Sequence, residues 1–205
     1  MAPPIPINRH TGAAMMVDHE LTELFDGHAF TVQYESVAPL PTNIGEETAI
    51  GFLTPAAAVA RIHLTVDAWA DDESVLEIRE DPTIVLGGGL AAIPLNRERS
   101  GGASAIRDND VGNGNGNSVN TYTVAQANAA DLAIGTGNIL HHETLAVGAG
   151  PPFGSMMNGV VRSQRGFLLL PETEYVVILT SSTVNDTVHN IVLNWHEHID
   201  AHYGH

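Results

Sequence analysis

The sequence reads as all-β, built as an antiparallel β-sandwich or a closed barrel. Three observations carry that reading. Apolar and polar residues alternate with a period of two through most of the chain, the period at which side chains fall on opposite faces of a strand. The alternating runs are short and are separated by Gly, Pro and Asn turns. Helical periodicity is almost absent.

Taken in order, "MAPPIPINRHTG" opens the chain with prolines at 3, 4 and 6. Proline fixes φ and removes a backbone donor, so this segment is expected to be an extended arm. "VDHELTELF" (17–25) is expected to form one or two helical turns, with Leu21, Leu24 and Phe25 on one face, ended by "DG" at 26–27. The expected organisation is therefore an arm over residues 1–26 and a sandwich domain over 27–205.

Strands follow. "HAFTVQYES" places Phe30, Val32 and Tyr34 together. "RIHLTVDAW" turns Ile62, Leu64, Val66 and Ala68 inward, with Arg61, His63, Thr65 and Asp67 outward. "SVLEIRE" sets Leu76 and Ile78 against Val75, Glu77 and Arg79. "TAIGFLT", "VNTYTV", "NILHHETLAV", "GFLLL" and "EYVVILTSS" continue the pattern, and "HNIVLNWHEH" closes it with Ile191, Leu193 and Trp195 on one side. Two long Gly/Asn-rich segments, 100–118 and 148–159, interrupt the strands as loops.

Composition narrows the function. The 205 residues suit one domain with a sizeable core, and the absence of cysteine excludes disulfides and thiolate chemistry. Net charge is −16, from 24 acidic and 8 basic residues, and every basic residue is an arginine. So few scattered cations among so many carboxylates argue against nucleic acid and anionic membranes as partners. Without lysine there is no P-loop and no Schiff-base chemistry. No apolar run approaches a membrane span, and the N-terminus lacks a secretory signal, so synthesis in the cytoplasm is expected.

The chemical candidates are few. The tail "NWHEHIDAHYGH" crowds His196, Glu197, His198, Asp200, His202 and His205 together. "HEHIDAH" misses the HxHxDH zinc signature by one residue, and HExxH fails because Asp200 stands where its second histidine belongs. In an extended strand, residues 196, 198, 200 and 202 share one side, so His196, His198 and His202 remain metal-ligand candidates. That side lies opposite Trp195, which favours a polar strand end at an interface over a metal centre. "HHE" at 141–143 carries the same two readings. "DNDVGNGNGN" lacks the calcium-loop pattern: from Asp108, Gly112 falls at position 5 and Asn113 at position 6. "FGSMMNG" is no nucleophile elbow, because Met157 stands at the second glycine's place. Asn185-Asp186-Thr187 is read as a turn. The expectation is no catalytic residue, no cofactor and no bound metal.

Ordered short motifs carry a resemblance. "GHAF" precedes "FLTP" (52–55), "LEIRE" (76–80), "PLNRERS" (94–100), a glycine-rich centre, "FLLLPETEYVVILTS" (167–181) and "LNWHE" (193–197). From about Gly27 to Glu197 the chain resembles small β-sandwich proteins encoded among the structural genes of tailed bacteriophages. The resemblance implies a non-enzymatic virion component, a capsid decoration or cement protein bound to the major capsid protein on the outside of the head. It implies a homo-oligomer, often a trimer in such proteins, and the sandwich is expected to be an antiparallel one of jelly-roll type. A tail, baseplate or head-fibre component is the alternative within virions. A cupin-like metal-dependent enzyme using the C-terminal histidines is the alternative of another class.

Overall fold

The computed structural model describes residues 28–36, 43–57, 59–82, 89–98, 102–107, 117–122, 137–145, 161–162 and 166–198. The expected arm and helical turn, the 148–159 loop and His202 lie outside this set, as does most of the 100–118 loop. Among the described residues all regular structure is strand, and no helix is long and apolar enough to cross a membrane.

The strands are β1 (Ala29–Glu35), β2 (Glu47–Leu53), β3 (Arg61–Ala70), β4 (Ser74–Glu80), β5 (Leu90–Ala92) and β6 (Leu95–Asn96), followed by β7 (Val119–Tyr122), β8 (Asn138–Leu145), β9 (Val161–Arg162), β10 (Phe167–Leu168), β11 (Glu174–Ser181) and β12 (His189–His198). They form two sheets. One runs β10-β3-β12-β1-β6 with β9 also on β3, and the other runs β5-β7-β2-β11-β4-β8. Every pairing is antiparallel.

The pairing is nested. The first long strand pairs the last, β1 with β12, and β2 pairs β11. Inside these, β3 pairs the interrupted edge made by β9 and β10, and β4 pairs β8. The pairings of β12 with β3 and β11 with β4 join these units, and β6 on β1, β7 on β2 and β5 on β7 complete the sheets. Gly137, just before β8, has φ +90°, and a Cβ there would lie 2.5 Å from the Glu80 carbonyl, so a side chain would obstruct this edge.

The alternation expected for β1, β3 and β12 is what the sandwich uses. Phe30, Val32, Ile62, Leu64, Val66, Ile191, Leu193 and Trp195 face inward from one sheet; Ile50, Phe52, Leu76, Ile78, Tyr175, Val177 and Leu179 face them from the other. Phe30 stacks on Trp195 and Phe52 on Tyr175, each with ring centroids 5.8 Å apart. These rings alternate with branched aliphatics, so the interior is one continuous apolar cluster.

Two features depart from the sequence expectation. "GFLLL" contributes only Phe167 and Leu168 as strand, because Leu169 and Leu170 turn away into the "PETE" corner. Glu77 and Arg79, on the polar phase of β4, are nonetheless buried, as are Ala49, Val176 and Ile178 on the same face of that sheet. Period-2 alternation marks faces; it does not say that the second face meets water.

Candidate functional site

The C-terminal histidines project where their phase places them. Ile191, Leu193, Trp195 and Glu197 are buried, while His196 and His198 stand half-buried on the opposite, outer face of β12. The neighbouring strand adds a histidine that the linear pattern does not reveal. His63 is the register partner of His196, and its ring centroid lies 6.3 Å from that of His198. Arg61 is the partner of His198.

The packing around His63 weighs against shared coordination. A Cβ built on Gly166 would overlap the imidazole at Nε2, so this nitrogen faces the 166 backbone. Among the described residues no group of three or more His, Cys, Asp or Glu side chains is placed to hold a metal ion. The interior beside this end of β12 is filled by Trp195, Phe30 and their aliphatic neighbours, and His196 and His198 lie on the other face of the strand.

The "HHE" histidines separate. His142 Nδ1 donates to Glu77 Oε1 at 2.9 Å, whereas His141 pairs with Glu143 at 3.2 Å and meets the edge of Phe167. His142 thereby joins a charged cluster on the second face of the β2–β11–β4 sheet. There Arg79 donates twice to Glu77 Oε2, at 2.8 and 3.0 Å. Burial pushes the Glu77 carboxyl up, but hydrogen bonds from His142 and Arg79 and their charges hold it below the usual carboxylate range. Glu47 projects from the same face. Burial, and then the nearby Glu77 charge, raise its carboxyl to about 7, with Arg79 pulling the other way.

Two further polar clusters went unseen in the sequence. His189 is fully buried, with Ser74 Oγ 3.1 Å from Nε2 and Thr48 Oγ1 3.2 Å from Nδ1. A serine beside an imidazole is the pairing nucleophilic catalysis uses, but neither side chain reaches the surface and the third member is a hydroxyl, not a carboxylate. Burial lowers the His189 imidazole to about 4, so it is neutral at pH 7 and ties β4 to β2 and β12. Glu197, which the sequence grouped with the polar tail, instead points inward. It accepts from Ser104 Oγ, the Ala105 amide and Trp195 Nε1, fixing the 102–107 segment to the end of β12. No sequence signal finds the Ser74, Thr48, Ser104 and Ala105 partners, because each lies more than ninety positions from the group it satisfies.

The short motifs meet in space. Thr54 of "FLTP" donates to the Leu170 carbonyl at 2.7 Å and accepts from the Thr173 amide at 3.0 Å, joining it to "LLLPET". Tyr175 donates to Glu80 of "LEIRE" at 2.8 Å and accepts from the Leu170 amide at 2.9 Å. These residues hold a corner of the sandwich together. Beside that corner opens an apolar groove of about 280 Å3, walled by Pro55, Ala57, Ile62, Leu168, Leu170 and Pro171, with Arg61 at its margin. Leu168 is 66% exposed and Leu170 55%, so the mouth is apolar too. Such a surface suits contact with another protein better than bond-making chemistry. Comparison of the chain with protein-family models, with curated proteins and with solved structures finds no match in any of the three.

Proposed function

We propose that this chain is a non-enzymatic virion structural protein, a capsid decoration or cement subunit that seats on the outer surface of a phage head against the major capsid protein. The observation that carries the proposal is the preformed apolar corner, with Leu168 and Leu170 exposed beside a groove whose walls are pinned by Thr54 and Tyr175. A rigid apolar patch of this kind loses little entropy when a partner covers it. The nested strand pairing supports placing the sandwich among jelly rolls, with β5, β6 and β7 as additions between β4 and β8. A net charge of −16 fits an outer surface facing away from packaged nucleic acid, where like charge keeps particles apart. The proposal also has the subunit self-associate, with a trimer as the expected form.

The test is release and rebinding on purified particles that carry the chain. Stripping it should lower the temperature at which heads rupture, and adding it back should restore that temperature. Unchanged rupture after complete removal would overturn the stabilising role, and its absence from purified particles would overturn the virion assignment.

A further inference from the structure

We infer that the apolar groove beside Thr54 receives the proline-rich segment Pro3–Ile7 of a second copy of this chain. The inference deepens the proposed self-association and rests on it.

The groove is suited to an extended, apolar, donor-poor peptide. Its walls are aliphatic and prolyl, and two bonds hold its backbone frame: Leu169 donates to Ile62 at 3.0 Å and Glu172 to Pro55 at 3.1 Å. The aliphatic and prolyl walls make side-chain shape the feature by which this groove would recognise a peptide. "PPIPI" at 3–7 matches that demand. Three of its five residues lack an amide donor, and proline-fixed φ gives it fewer conformations to lose on docking.

The starting point of the described chain sets the reach. Glu197 donates to the His28 carbonyl and is the register partner of Ile62, which lines the groove. His28 therefore lies about 10 Å from the groove, two strand spacings away at the same end of the sandwich. The twenty residues between Ile7 and His28 span up to about 70 Å when extended. A connection so much longer than its own groove requires has the length to cross to a neighbouring subunit, and that exchange would hold an oligomer together.

The test uses two co-expressed full-length chains. One carries the photo-cross-linker as Ile5→p-benzoylphenylalanine together with Ala57→Trp, which fills its own groove from an exposed turn position. The other carries no probe and keeps Ala57. Mass spectrometry separates the two groove peptides by the Trp/Ala difference. The expected result is cross-links from residue 5 to the Ala57-bearing peptide of the unprobed chain, with at least five-fold fewer when both chains carry Ala57→Trp. Cross-links to the groove only when the probed chain keeps its own Ala57 would overturn exchange between copies, and cross-links elsewhere would overturn the groove as the docking site. Mapping with an otherwise wild-type probed chain carries the second test even if Ala57→Trp misfolds. An oligomer on the shell with cross-links outside the groove would sink this inference alone. Groove cross-links in a protein absent from particles would sink the virion assignment alone.

Discussion

Two titratable side chains, Glu47 and His189, have their charged forms disfavoured by their surroundings, and they tilt stability with pH in opposite directions. Glu47 ionises near 7 in the folded state, above its ordinary value near 4.5, because burial and Glu77 disfavour its charge. Between those values the unfolded chain has already lost the proton, so stability falls as pH rises through 7. His189 behaves inversely. Its folded value near 4 lies below the ordinary 6.5, so the unfolded chain takes up the proton first and stability falls as pH drops from 6.5 towards 4. Glu47→Gln should therefore raise the melting temperature over wild type by more at pH 8 than at pH 4.5, at about 2–4 °C per kcal/mol gained. His189→Gln should flatten the acid-side loss while lowering stability at pH 7, where Ser74 and Thr48 lose well-placed partners. Thermal melts of the two variants across pH 4–9 check both signs. Parallel pH curves for wild type and variants would show that neither group is perturbed.

At the scale of elements, β3 and β12 were the most legible. Their alternation is long, and residues such as Ile62, Leu64, Leu193 and Trp195 lie buried in the phase it indicates. Trp195 is the anchor of β12, stacked on Phe30 and donating from Nε1 to Glu197. Trp195→Ala should cost about 3–5 kcal/mol in denaturant unfolding, since it opens a large cavity and leaves Glu197 short of a donor. A variant as stable as wild type would mean that β12 is phased the other way, with its histidines inward. The short strands β5, β6 and β9 were not legible: two or three residues carry no measurable period, and their pairing is set by neighbours far along the chain. The candidate site was legible only in part. The outward phase of His196 and His198 follows from β12 itself, whereas the approach of His63 depends on the β3–β12 register. The groove was equally hidden, because its walls come from segments more than a hundred positions apart. The burial of Glu77 and Arg79 was missed for a physical reason: a sheet buried on both faces can keep polar alternation when its charges satisfy one another.

For the whole molecule, the nested pairing wraps the chain around a filled apolar interior and leaves its distinctive apolar feature at one corner. Under the proposed role the chain acts through what it touches, and the apolar corner is the surface proposed to make that contact. The most direct measurement is electron cryo-microscopy of particles that carry the chain. The account predicts density for this sandwich on the exterior of the head, in oligomers contacting the major capsid protein, with the groove beside Leu168 and Leu170 covered by a neighbouring chain. Density for it in the tail, inside the head, or nowhere on the particle would contradict the account.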